Sequence, residues 1–204
     1  NNSVSKILNR VKNFRKESKA ASTRAYASTP HRFVQLSSVV GNKAIVIPRV
    51  SSENRQYLPV DYISSKPVIG DKCFVIYDPP LWNLSIIASK LHIVWIGTVC
   101  SRLRTDFSYG NKLGWNTFPV PTLTKKNKED LTTCAEEILM ARERHFPATI
   151  ADLYKSDKMP EDLKLAHERN DEVLERIYIG RKFKNDTERL EKLFQLYTKM
   201  TSRK

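Results

Sequence analysis

Apolar residues recur over the first sixteen positions at helical spacing: Val4, Ile7, Leu8, Val11 and Phe14, with Lys and Arg between them. Residues three and four apart share a helix face, so the pattern predicts a short basic amphipathic helix over 4–16. Residues 17–32 lose that period. They are small, polar and basic, and predict an extended lead-in ending at Pro30. From 33 to 77 the texture is strand-like. The runs Ala44-Ile45-Val46-Ile47 and Cys73-Phe74-Val75-Ile76-Tyr77 are compact and rich in β-branched and aromatic side chains. The polar connection between them, Pro48 to Val60, is of the kind that carries contacts on a rigid sheet. Asp78-Pro79-Pro80 stops the second strand. Leu84, Ile87, Ala88, Leu91, Val94 and Trp95 then predict one buried helix, ended by Gly97 and followed by a strand from Val99 to Tyr109.

After Pro121 helical spacing takes over. Leu131, Cys134, Ala135, Ile138 and Leu139 define one helix. A second runs from Pro160 through Leu163, Ala166, Val173, Leu174 and Ile177. A third starts at Asn185, with Glu188 in capping-box position, and continues through Leu190, Leu193, Phe194, Tyr197 and Met200. These helices are expected to form a small bundle. The fold class is therefore α+β: a basic helix and lead-in over 1–29, a mixed-sheet domain over 30–121, and a helical domain over 122–204.

Charge sharpens that division. The 204-residue chain has a formal net charge of +13, which points to a polyanionic partner, either nucleic acid or an anionic membrane surface. Residues 1–32 hold eight basic side chains against the single acid Glu17, whereas residues 122–204 hold eighteen basic against sixteen acidic. The excess thus lies in the first two segments, and the last reads as solvated helices laced with both signs.

Cys73, Cys100 and Cys134 form no CxxC pair, and His31, His92, His145 and His167 show no ligand spacing. No metal site is expected, and the cysteine usage suits a reducing cytoplasm. No apolar run reaches membrane-spanning length, so no membrane partner is expected. The start at Asn1-Asn2, without Met, suggests a piece of something longer.

The stretch Ser101 to Tyr109 carries the sharpest chemistry. In one extended strand Arg102, Arg104 and Asp106 would share a face. Arg can donate a fork to the guanine acceptors, and Asp can accept from the cytosine amine. The same residues also fit a solvated edge strand with an internal ion pair. Arg49, Ser51, Ser52, Glu53 and Arg55 fit either DNA contacts or a satisfied polar turn. Arg10, Lys12, Arg15, Lys16, Lys19 and Arg24 are dense in charge and suit phosphate binding. Trp95 and His92 sit in core patterns. Asp78-Pro79-Pro80-Leu81 resembles the acidic-or-amide, Pro, Pro, aromatic motif of amino-methyltransferases. However, Leu81 stands at the ring position, and the six glycines never form a GxG donor loop. The other reading makes Asp78 a helix N-cap.

At these residues the chain resembles the C-terminal part of single-chain type IIL/IIG restriction–modification enzymes, the MmeI-like group. The resemblance is carried by Pro48 to Val60, Ser89 to Trp95, Ser101 to Tyr109 and Trp115 to Pro121. It continues through Ile150 to Tyr154, Met159 to His167 and Glu188 to Tyr197, in the family's order. It implies a target recognition domain with a helical tail. The adenine-N6 methyltransferase and endonuclease domains would lie upstream in the same polypeptide. It also implies duplex DNA as partner, with no cofactor in this part; the parent would use S-adenosylmethionine, and Mg for any cleavage. The family's specificity pair falls on Arg104 and Asp106, in a version that looks like a reader of G. Arg49 and Ser51 join them as expected base contacts. Arg10, Lys12, Arg15, Lys19, Arg24, Arg55 and Arg102 are expected backbone contacts. Ser101 replaces a frequent Gly, Val120 a frequent Trp, and Arg104 a commoner Lys, which changes the donor's reach. Rival expectations are a type I specificity subunit, an RNA-binding module, or an enzyme built on Asp78-Pro79-Pro80.

Overall fold

The computed structural model describes residues 2–34, 41–64 and 69–202. The strand-like reading of 33–77 includes 35–40 and 65–68, which lie outside the described residues. Two compact units result, Asn1–Val39 and Val40–Lys204.

In the first unit, α1 (Asn2–Lys16) is the expected amphipathic helix. The lead-in is not extended. It folds into turns and a short helix, α2 (Ala21–Ala25). Arg15 supplies the reason. Its Nη1 donates to the carbonyls of Tyr26 at 3.0 Å and Thr29 at 2.9 Å, and its Nη2 donates to that of Arg32 at 2.6 Å. One side chain can gather three carbonyls only if the backbone folds back around it. Arg24 does the same on a smaller scale, donating to the carbonyls of Ser18 and Lys19 at 2.8 Å each.

In the second unit, β1 (Lys43–Pro48) lies between β3 (Asp61–Ser64) and β4 (Cys73–Tyr77), paired antiparallel to both. Strand β2 (Val50–Ser51) leaves for a second sheet, in which β6 (Asp106–Ser108) lies between β2 and β5 (Ser101–Leu103). Arg49 sits at the crossing. Its N–H donates to the Lys72 carbonyl at 2.9 Å, and its carbonyl accepts from the Tyr109 N–H at 2.7 Å. The α+β class holds, but among the described residues the single mixed sheet is instead two antiparallel ones. The turn joining β5 to β6 is two residues long, far too short for the crossover that parallel pairing needs.

The buried helix expected from Leu84 to Trp95 is two helices, α3 (Trp82–Ile87) and α4 (Lys90–Val99). Ser89 makes the break. Its hydroxyl donates to the Ile86 carbonyl at 2.7 Å and accepts from the His92 N–H at 3.2 Å, closing one helix and capping the next. Gly97 does not end α4 but lies within it. A Cβ there would stand 3.0 Å from the Phe107 ring, so the glycine lets β6 approach the helix. Asp78 is not the cap of α3. It takes φ +45° at the end of β4, and its carboxylate accepts the N–H groups of Asn42 at 2.8 Å and Lys43 at 3.1 Å, at the start of β1.

The helical segment holds α5 (Lys125–Glu143), α6 (Ile150–Leu153), α7 (Glu161–Ile179) and α8 (Asp186–Thr201). Asn185 caps α8 by accepting the Glu188 N–H at 2.9 Å. The reciprocal arm of the box goes elsewhere: Glu188 accepts from Lys184 N–H at 2.6 Å and pairs with Arg181.

One core runs through the second unit. Ile45, Ile47, Leu58 and Val60 meet Leu84, Leu91, Trp95 and Ile96, together with Leu131, Ile138, Leu163 and Leu174 from the later helices. Each such burial stabilises by roughly 1.5–3 kcal/mol. Trp82 and Trp115 lie partly buried against the same cluster. Arg142, 7% exposed, ties α5 to the strand side. It donates to the Val60 carbonyl at 2.7 Å and, through Nε, to the Tyr154 hydroxyl at 2.9 Å. His92 and His167 are fully buried, and desolvation holds each pKa down to about 3. No helix among the described residues is long and apolar enough to cross a membrane.

Candidate nucleic-acid interface

The stretch 101–109 is not one strand but a hairpin, with Ser101 opposite Ser108, Arg102 opposite Phe107, and Leu103 opposite Asp106. Residues paired across a ladder share a face. Arg102 therefore lies with Phe107, on the side away from Asp106. Arg104 and Thr105 form the turn, and Arg104 takes φ +59° at its first central position. A positive φ at that position is a feature of the primed turns that suit a hairpin. The left-handed conformation costs a non-glycine residue about 1–2 kcal/mol.

Two faces follow from the register. The inner face carries Ser51, Phe107 and Arg102, and Phe107 sits against Gly97 of α4. The outer face carries Asp106 and Ser108, together with Val50 and Leu103, both exposed apolar residues. Arg104 stands at the tip, exposed and without a hydrogen-bonding or ionic partner among the described residues. Asp106 is half-buried, and its Oδ1 accepts the Glu53 N–H at 3.4 Å. The base of the hairpin is anchored by Tyr109, whose hydroxyl lies 3.1 Å from His92 Nε2.

The other expected contacts divide. Arg49 is exposed, with its guanidinium 4.6 Å from the centre of the Phe74 ring. Ser51 is 1% exposed and accepts from Arg55 Nη1 at 3.4 Å. Its hydroxyl is enclosed and does not offer itself to a base edge; Arg55, half-buried, is occupied in the same contact. Arg102 donates to the Thr105 carbonyl at 2.7 Å, faces Glu53 at 3.5 Å and stacks 4.4 Å over Phe107. Its Nη1 is engaged within the hairpin, while the side chain stays 41% exposed. In the first unit Arg15 and Arg24 are likewise committed to carbonyls, while Arg10, Lys12 and Lys19 are exposed.

Sequence alternation missed Leu103 and Val50 as members of the Asp106 face, and Glu53 as the partner of Asp106. The signal available was the polar run Arg104-Thr105-Asp106 between Leu103 and Phe107, which reads as a turn only once β-pairing is known.

The Asp78-Pro79-Pro80-Leu81 group does not fit a methyl donor or target amine. The Asp78 carboxylate is held by the Asn42 and Lys43 N–H groups, which lower its pKa, and Leu81 offers no ring.

Together, fold and site define a target recognition domain joined to a helical domain. The chain belongs to the MmeI family: the model for "MmeI, target recognition domain" matches residues 1–122, and that for "MmeI, C-terminal domain" matches residues 123–203. It is 40% identical over 192 residues to DNA methyltransferase A of Bacillus subtilis (strain 168), covering 94% of this chain and 22% of that protein. A solved structure of the type IIL restriction-modification enzyme MmeI in complex with DNA aligns with a TM-score of 0.89 at 30% identity. That alignment covers 98% of this chain and 26% of the other. The chain thus spans about a quarter of the length of these relatives.

Proposed function

We propose that the chain binds duplex DNA sequence-specifically, as the recognition part of a longer adenine-N6 DNA methyltransferase. The observation that carries this is the hairpin tip. An unpartnered Arg104 and an outward Asp106 offer a donor fork and an acceptor, the two groups that meet the edges of a G·C pair. A two-stranded ribbon is also narrow enough to enter the major groove. The likeness over 98% of the chain to MmeI in complex with DNA supports the same partner.

Arg104 and Asp106 read one base pair at the outer end of the site, and Arg49 contacts a neighbouring one. Arg10, Lys12 and Lys19 neutralise phosphates, which positions the duplex without reading it. Residues 30–121 serve as the reading domain and 122–204 as its helical support. Methyl transfer, its S-adenosylmethionine, and any Mg-dependent cleavage belong to other domains of the parent, which works in the cytoplasm. The chain's own part is to hold a target adenine within reach of the methyltransferase domain.

The experiment is a binding competition with the 204-residue chain. A duplex that the chain enriches from a randomised pool should displace a labelled copy of itself far better than scrambled duplex or structured RNA. Affinity should also fall linearly with the logarithm of salt concentration. Preference for RNA would replace this function with an RNA-binding one.

A further inference from the structure

We infer that Arg102 is a positioning residue for base readout: it fixes the hairpin tip so that Arg104 and Asp106 hold their reading geometry. This rests on Arg104 and Asp106 being the base readers.

The register puts Arg102 on the Phe107 side of the hairpin, away from Asp106. From there its guanidinium holds three groups. It lies 4.4 Å over the Phe107 ring, donates to the Thr105 carbonyl at 2.7 Å, and meets the Glu53 carboxylate at 3.5 Å. The Thr105 carbonyl belongs to the turn in which Arg104 takes its strained φ of +59°. Strained backbone persists only where its surroundings over-determine it. Fixing that carbonyl fixes the peptide from which the Asp106 side chain departs. Glu53 completes the link, since its own N–H donates to Asp106 Oδ1 at 3.4 Å and so orients the carboxylate. Beneath them, Phe107 sits where Gly97 leaves room on α4. A continuous path therefore runs from the helix through Phe107 and Arg102 to Thr105, Glu53 and Asp106. Arg102 and Glu53 are each 41% exposed at the side chain, so their pairing adds little stability, and its effect is geometric.

The test measures binding of the 204-residue chain, over a range of salt, to duplexes that each differ at one base pair from the motif it enriches from a randomised pool. It compares the parent with Arg104→Ala, Asp106→Asn, Arg102→Ala, Arg102→Gln and the double variant Arg102→Ala/Asp106→Asn. Arg102→Ala should lower preference at the base pair read by Arg104 and Asp106 by about tenfold. It should leave the other positions and the salt slope unchanged, and add less than about twofold in the Asp106→Asn background. Arg102→Gln keeps a donor for the Thr105 carbonyl without the charge, and should retain more of the preference. Should Arg102→Ala unfold, with a lowered melting midpoint, Arg102→Gln decides: partial loss of preference at that base pair with the parent's salt slope supports positioning, and full preference overturns it. A uniform loss at all duplexes, with the salt slope reduced by about one, makes Arg102 a phosphate contact and overturns the proposal. If Asp106→Asn and Arg104→Ala themselves leave every preference intact, base readout fails and this role fails with it. If they act and a folded Arg102→Ala does not, base readout stands and the positioning role is overturned.

Discussion

Arg102 and Asp106 lie on opposite faces of one hairpin, because Leu103 and Asp106 are partners across a two-residue turn. The turn moves Arg104 to the tip and gives Asp106 the exposed Leu103 as its neighbour instead of an arginine. Arg102 is tied to Thr105 and Glu53 through Nη1, while Arg104 has no partner among the described residues.

Arg104→Ala should relax preference at a single base pair, at a cost of about 1–3 kcal/mol in discrimination. Since Arg104 touches no partner among the described residues, its removal should leave the unfolding free energy within about 0.5 kcal/mol of the parent. Binding to single-substitution duplexes and chemical denaturation check the two halves separately.

Two basic residues of the first unit should behave differently. Lys12→Ala should weaken binding to every duplex and reduce the salt slope by about one. Arg15→Ala removes the donor shared by the Tyr26, Thr29 and Arg32 carbonyls. Hydrogen bonds to a charged group contribute about 1.5–3 kcal/mol each. The backbone of residues 26–32 should lose protection from amide exchange, whereas in Lys12→Ala it should not.

Gly97 tests the contact between α4 and the hairpin. Gly97→Ala gains about 1 kcal/mol in helix propensity, but its Cβ meets the Phe107 ring at 3.0 Å, so the net change should be small. Gly97→Leu has no such balance. Overpacking should cost about 1–3 kcal/mol in denaturant unfolding and reduce base-pair preference by displacing Phe107.

Asp171 gives the chain a pH signature. Its carboxylate accepts from the Lys90 N–H at 2.7 Å and the Tyr57 hydroxyl at 2.9 Å, and desolvation raises its pKa from 3.8 to about 7. A group with a raised folded-state pKa contributes stability that is full below its unfolded value and lost as pH rises through the folded value. Relative to the parent, Asp171→Asn should therefore gain stability between pH 4 and pH 7, by on the order of 4 kcal/mol, and level off above. His92 and His167 destabilise both proteins alike as pH falls below about 6.5, so they cancel in the difference. Melting curves of the pair across this range read the effect directly.

Elements whose sequence period matches their packing were legible. The core faces of β1, β4, α5, α7 and α8 follow from apolar spacing, because burial sets that spacing. Features set by a single side chain reaching across the chain were not. Ser89 splits a helix that looks continuous, Arg15 folds back a lead-in that reads as extended, and Asp78 caps a strand instead of a helix. The candidate site shows the same division. Its residue types were visible at Arg104 and Asp106, but their faces depended on a turn whose positive-φ residue is an arginine, where glycine or asparagine would have marked it. Ser51 and Arg102, expected at the DNA, are held by Arg55 and by Thr105, Glu53 and Phe107, contacts that no local spacing reveals.

Selection of bound duplexes from a fully randomised pool by the 204-residue chain, followed by sequencing, addresses its role most directly. The expected result is one enriched motif containing a G·C pair whose preference disappears when Arg104→Ala is selected in parallel, with the rest of the motif unchanged. An unenriched pool, or an identical motif from both proteins, would contradict sequence-specific readout through this hairpin.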